Sequence, residues 1–515
     1  MLSLLRSPRR TARATAAALI LLATLLTSAG CGGDSGSASS SGDAALALGL
    51  QAPVTSFDPA QLNTGESQYV WGSVYDTLIY ADDEGNLKPN AAEKWTYSAD
   101  RRTLTITLRK GMTFSSGTAV NAAAVKATLE HIEKVPGPQL GAALNIASVE
   151  APDQSTVVIT LKQADAEFLY QLSAGLGVIA DPASLGKADL ALNPVGSGPY
   201  TLDKAATVNG STYVLKRRAG YWNENSYPFK AITFRVISDP TATVNALRSG
   251  QLNASSVDTR QSAGLKAAGF DITPVDATAI ASVILADRSG QVLKPLGDLR
   301  VRQAINMAFD RAKMVEKLLN GAGKPTVEVF NPHGDAYDPA LESTYSYDPA
   351  AAKKLLAQAG YPNGFSVTMP SFVYTQSFEP TIGQALAAIG IKVTWKAVPL
   401  QNVFTQIAQR QYPIYLFLSG MGTAPGELKS NAGPTGGSNP FASTDPKLTA
   451  LLSQINTAEP AQAAPLYKQA NAIIVKDAWE APLFFIGTDW VTKGVKYVGA
   501  GKQYIASVRQ FDTVG

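Results

Sequence analysis

Cysteine and histidine are the scarcest reactive residues in this 515-residue chain, with one cysteine, Cys31, and two histidines, His131 and His333. A single thiol excludes an internal disulfide, and these three side chains cannot make a zinc site from Cys and His ligands alone. Neither a metal nor a cofactor is expected. Charge of one sign is also scarce. The formal net charge is +3 and the 44 basic residues are scattered, so nothing resembles an electrostatic footprint for nucleic acid. The apolar stretch 16–26 is too short to span a bilayer as a stable helix. The rest, 45% hydrophobic and 17% charged, is the composition of a globular protein long enough for several cores, with two or three lobes expected.

The amino terminus carries an address. Arg6, Arg9 and Arg10 precede the apolar stretch as a positive n-region, so residues 1–30 read as a signal peptide. Ser28, Ala29 and Gly30 then lead into Cys31, which resembles the lipobox of bacterial lipoproteins, although leucine is more usual at the place of Ser28. That resemblance implies cleavage before Cys31 and its acylation, with palmitate among the acyl groups, anchoring the chain to the outer, periplasmic face of the cytoplasmic membrane. Residues 31–43 are Gly/Ser-rich and form a flexible tether, and the folded part is expected from Ala44. Sec and twin-arginine export both stay open, because Thr11, Ala12 and Arg13 stand where apolar residues follow a typical arginine pair.

Strand and helix signals alternate through the body. Leu104, Ile106 and Leu108 interleave with threonines, and the same period of two recurs at Val157, Ile159 and Leu161 and at Ile232, Phe234 and Val236. From Asp298 the period lengthens: Val301, Ala304, Ile305, Ala308, Val315 and Leu318 share one helical face, with Asp298 placed to cap the start and Asn320-Gly321 to end it. A second helix is expected from the cap Asp348 through Pro349 to Gly360. This alternation indicates an α/β protein, and the lack of a Pro- or Ser-rich divider leaves either one large domain or lobes that exchange strands, of which the second is favoured.

Catalytic patterns fail on inspection. Gly321-Ala322-Gly323-Lys324-Pro325-Thr326 lacks the spacing of a phosphate loop and reads as a helix-ending turn. Gly196-Ser197-Gly198-Pro199 lacks the glycine spacing of a nucleophile elbow and reads as a tight turn. Asp82-Asp83-Glu84 runs into Gly85-Asn86 between two strand-like segments, as in a solvated hairpin. His131 is expected exposed on a helix, and His333 lies in a loop from which it could face a cavity.

The ordered blocks Phe57-Asp58-Pro59-Ala60, Val74-Tyr75-Asp76-Thr77-Leu78, Leu87 to Trp95, Leu108 to Phe114, Asn193 to Tyr200, Ala246 to Gly250, Leu299 to Ile305 and Tyr347-Asp348-Pro349 carry a resemblance over nearly the whole mature chain. They resemble the extracellular solute-binding proteins of the oligopeptide, dipeptide and nickel ABC importers, solute-binding family 5. The resemblance implies an α/β, class II periplasmic-binding-protein-like fold with two main lobes, an extra lobe and discontinuous domains joined by a hinge. Lobe I is expected over 44–69, 197–280 and 480–515, lobe II over 70–196, and lobe III over 281–479. It also implies a monomer that captures a peptide or other small solute between lobes I and III and passes it to ABC permease and ATPase subunits.

Peptide-binding members commonly carry Gly-Trp-x-x-Asp on the third-lobe wall, whereas this chain has Gly420-Met421-Gly422-Thr423-Ala424. The missing carboxylate leaves a peptide ammonium without its usual partner, unless Glu427 or Asp287 replaces it. Met421 in place of tryptophan leaves a softer wall. Peptides still rank first, ahead of glycosides, modified peptides and metal chelates. Candidate ligand contacts are Gly420, Met421 and Thr423, with Tyr69 and Trp71 near the first lobe crossing and Tyr374 and Gln376 after a strand exit. Two other classes compete with a carrier: a lipid-anchored secreted hydrolase, and a solute sensor or adhesin on the same fold. No paired nucleophile and base is evident, so no enzymatic activity is expected.

Overall fold

Two long strands, Asp271–Leu285 and Glu480–Thr492, pair antiparallel along most of their length and tie two hydrophobic cores together. The computed structural model describes residues 44–434, 436–499 and 506–514. The expected signal peptide, Cys31 and the 31–43 tether lie outside the described residues.

Around this pair a nine-stranded mixed sheet is built, in the order Ile414–Gly420, Asp271–Leu285, Glu480–Thr492, Ala254–Val257, Ala45–Leu50, Ala231–Val236, Thr212–Arg217 and Tyr200–Leu202, with Gly323–Pro325 pairing off the path. The long strand changes core along its length. Val275 packs with Leu48, Tyr69, Phe234 and Trp490, whereas Ala281, Val283 and Leu285 pack with Ile305, Phe309, Met369 and Phe484. Between them the register slips, from Val275 to Ala279 on one strand, opposite Gly487 on the other. A Cβ at Gly487 would lie 2.5 Å from the Val275 carbonyl oxygen, so only glycine lets the strands approach at this irregularity.

A second, antiparallel sheet orders Ala92–Tyr97, Thr103–Leu108, Thr156–Leu161 and Ile146–Glu150. Thr103–Leu108 buries alternate residues as its period of two predicts. Helix Ala122–Lys134, capped by the Asn121 side chain on the Ala124 N–H, closes the core through Val125, Leu129 and Ile132. The Asp82 region is the expected hairpin: Ile79–Ala81 pairs Leu87–Pro89, and the Asp82 Oδ1 accepts from the N–H groups of Glu84 and Asn86. A third unit is a parallel βαβ, Phe365–Ser371, Glu379–Ala388 and Ile391–Ala397.

Several local expectations change. The helix from Asp298 is two helices, Leu299–Met307 and Arg311–Leu318. Asp310 breaks the run by capping the second through the Lys313 N–H, and Phe309 between them is fully buried. Asn320 and Gly321, with φ of 51° and 82°, end it as predicted. After them Gly323–Pro325 is a short strand on Glu480–Thr492. Pro349–Gln358 forms with Asp348 as cap and Gly360 at φ 92°. His131 is not a free surface residue: only 13% of its side chain is exposed, and its Nε2 lies 2.8 Å from the Asp58 Oδ1. The turn at Gly196-Ser197-Gly198 is also a packing contact, since the Gly198 N–H donates to the Val74 carbonyl at 2.8 Å.

Candidate ligand-binding cavity

A cavity of about 740 Å³ opens where the long strand pair, the second sheet's connections and the loop after Ile414–Gly420 come together. That volume suits a small solute. Its walls come from segments far apart in sequence. Glu66 and Gln68 enter from the start of helix Ser67–Val74, and Gln139, Glu167 and Gln171 from the connections around the second sheet. Thr278 and Glu480 come from the long strands, and 420–431 supply the facing wall.

The 420–431 wall is shaped by its caps. Gly420 ends its strand opposite Ala279, and the Met421 N–H donates to the Thr278 carbonyl at 3.0 Å. The Met421 side chain is 6% exposed and packs with Ala277, Ile280 and Phe485. Thr423 caps helix Ala424–Ala432, its hydroxyl oxygen accepting the Gly426 N–H at 3.3 Å. Glu427, in the first turn, accepts from the Gly422 N–H at 2.8 Å and the Asn331 N–H at 3.0 Å. These two bonds favour the carboxylate, but burial outweighs them and pushes its pKa up to about 8.

Across the mouth, the Lys429 Nζ lies 2.9 Å from the Asp165 Oδ2 and 3.5 Å from the Glu167 Oε2. The Glu167 Oε2 also accepts from the Gln171 Nε2 at 3.1 Å. Gly426 permits this closeness, because a Cβ there would sit 2.7 Å from the Glu167 Oε1. Arg101 and Glu459, 3.1 Å apart, and the Ala166 N–H with the Asn456 Oδ1, at 3.3 Å, join the same two parts. Burial raises the Glu167 carboxyl despite Lys429, and raises Glu66 despite the backbone N–H groups of Gln51 and Ala52. Glu480 is raised by burial, with the Arg288 charge opposing.

Of the candidates named from sequence, Gly420, Met421 and Thr423 line the cavity, and the other four do not. Tyr69 and Trp71 are core residues: the Tyr69 hydroxyl donates to the Gln510 Oε1 and the Trp71 Nε1 to the Asn63 carbonyl. Tyr374 and Gln376 project to the surface because Thr375 between them is buried, its hydroxyl bonded to the Phe372 carbonyl and the Glu379 carboxylate. Asp287 does not reach the cavity either, since its carboxylate accepts from the N–H groups of Gln291, Val292 and Leu293. His333 pairs with Asp276 at 2.6 Å and is not among the lining residues. Sequence reading missed Glu66, Glu167, Gln139 and Glu480. Only Glu480 carried a signal, a lone acid opening the apolar run 481–485.

A cavity gripped by separate parts of a mixed α/β chain, joined through a pair of shared strands, defines a solute-binding protein of the periplasmic type. The chain belongs to the bacterial extracellular solute-binding proteins, family 5, whose middle-region model matches residues 86–441. It is similar to the glutathione-binding protein GsiB of Salmonella typhi, 31% identical over 464 residues, covering 86% of this chain and 88% of the relative. The GsiB of Escherichia coli K12 is 31% identical over 465 residues, with the same coverage. Among solved structures, the Fe(III)-EDTA complex of NikA from Brucella suis superposes with a TM-score of 0.78 at 21% identity, covering 92% of this chain and all of that one. DppA from Helicobacter pylori, in complex with the peptide STSA, gives 0.75 at 23% identity, covering 92% and 98%. These two show the fold. The protein is therefore a substrate-binding component of an ABC importer, working outside the cytoplasm.

Proposed function

We propose that this protein is a lipid-anchored carrier, held by acylated Cys31 on the periplasmic face of the cytoplasmic membrane, that encloses one small solute in the 740 Å³ cavity and performs no covalent chemistry on it. The observation that carries this reading is the origin of the walls: residues from all three expected lobes, 44–69 with 197–280 and 480–515, 70–196, and 281–479, face one space. The register slip opposite Gly487 lies where the shared strands pass from one core to the other, a place where bending would part the walls. The cavity wall offers hydroxyls and carboxylates but, among the described residues, no histidine or lysine to take a proton from a serine, which speaks against a hydrolase.

A binding screen on residues 44–515 by thermal shift tests the reading, since a ligand that binds only the folded state raises Tm by mass action. The chain is expected to be stabilised by a solute that is recovered unchanged; turnover of any solute in the screen would overturn the reading. In cells the C31A variant is expected to leave the membrane fraction.

A further inference from the structure

The titratable side chains of the cavity wall are acids. Glu66, Glu167, Glu427 and Glu480 line it, and among the described lining residues there is no lysine, arginine or histidine. The cations nearest to these acids are already engaged, Lys429 with one of the acids themselves. Lys429 is paired with Asp165 and Glu167. Arg288 directs its guanidinium to the Trp479 and Ser438 carbonyls and the Asn439 Oδ1, and lies over the Trp479 ring. Neither is a lining residue.

Two lining residues each have a fully buried oxygen without a hydrogen bond. Glu480 is 6% exposed, and although the hydroxyls of Ser282 and Ser438 are beside its carboxyl, its Oε1 has no partner with hydrogen-bond geometry. The buried Oε1 of Gln171 has none either. Both atoms are acceptors, and the donor beside Glu480 is the Ser282 hydroxyl, itself without a partner.

We propose that the cargo is a polar organic cation, with one or more N–H-bearing ammonium groups among other hydrogen-bonding groups and with no carboxylate or phosphate. This rests on the cavity being the ligand site. A buried anion would meet four acids and no basic side chain in the wall, so it would stay without a counter-charge. Helix N-termini are the features that could attract an anion, and each of those at the cavity has an acid beside it. Glu66 precedes helix Ser67–Val74, Glu167 precedes Phe168–Gln171, and Glu427 sits in the first turn of Ala424–Ala432. A terminus contributes roughly half a positive charge, which a full negative charge exceeds.

Two further features narrow the class. Tyr170 is the one aromatic among the described lining residues, and its hydroxyl donates to the Gly85 carbonyl. A quaternary ammonium, which is held by several ring faces, therefore finds no cage, whereas an N–H-bearing ammonium finds carboxylate and amide acceptors. The carboxylates are also dispersed: among the described residues no three His, Cys, Asp or Glu side chains are grouped to hold a metal ion, so the cation is an organic one.

The test is calorimetric titration of residues 44–515 with five probes: Ala-Ala-Ala carboxamide, the same tripeptide as free acid, spermidine, glucosamine and glutathione. The carboxamide, which differs from the free acid only by loss of the anion, is expected to bind at least tenfold tighter. At least one of the carboxamide, spermidine and glucosamine should bind, and glutathione should not. E480Q and, on another wall, E66Q are each expected to weaken the cation at least fivefold, so that misfolding of one variant leaves the other decisive. Equal or tighter binding of the free acid or glutathione would overturn this inference and leave the carrier reading intact. Binding of none of the five would overturn it too, and a solute of another class found in the screen described above would still sustain the carrier.

Discussion

Lys429 reaches from helix Ala424–Ala432 to Asp165, 2.9 Å away on the connection after strand Thr156–Leu161, and so closes one side of the cavity mouth. The pair is half exposed at the lysine, where salt bridges contribute about 0–1 kcal/mol. K429A is therefore expected to lower global stability by less than about 1 kcal/mol. Its effect should be local, with hydrogen exchange rising in residues 165–171 and 424–432. A uniform rise over the chain would contradict this.

The Glu427 carboxyl, held up to about 8 by burial, should give binding of the proposed cation a pH dependence. An acid raised in the empty cavity is protonated below that value, and a cation favours the ionised form, so the complex binds fewer protons than the free protein. Affinity should accordingly rise with pH through neutrality, and fall by up to roughly tenfold per unit on acidification. Glu480 faces Glu427 and acts in the same direction, while the N–H groups of Asn331 and Gly422 oppose it. Titration in two buffers of different ionisation enthalpy should show proton release, and E427Q should reduce it. Tighter binding at low pH would refute the assignment.

Gly198 is required by packing. A Cβ there would lie 2.5 Å from the Val74 carbonyl carbon, a backbone atom that cannot step aside. G198A should cost about 1–3 kcal/mol, the range for overpacking, read from urea denaturation.

Tyr69 and Tyr374 separate stability from binding. Y69F removes the buried hydrogen bond to Gln510 and should cost about 1 kcal/mol with solute affinity unchanged. Y374A, at a side chain 58% exposed and outside the cavity, should alter stability by less than about 0.5 kcal/mol and leave affinity unchanged. Weaker binding by Y374A would place the loop in the site.

What was legible in the sequence depends on near neighbours. The alternation of Leu104, Ile106 and Leu108, the Asp348-Pro349 helix start and the Asp82 hairpin are settled within a few residues, and each forms as read. The wall at Gly420, Met421 and Thr423 was reachable because it follows a strand exit in a recognisable family pattern. The break at Asp310 was not, because the apolar period continues through it and only the competing cap and the burial of Phe309 interrupt the helix.

By itself the sequence determined the α/β class, the turns and caps, and the family, since these rest on local backbone preferences and on ordered blocks of residues. The tertiary structure alone decided which side chains share the cavity. Tyr69 and Trp71 went to the core because large aromatic surfaces gain most from burial, with their polar ends finding partners nearby. Glu66, Glu167, Glu427 and Glu480 came together from separate segments. The acidic character of the cavity is the sum of those distant contributions, and no local stretch of the chain records that sum.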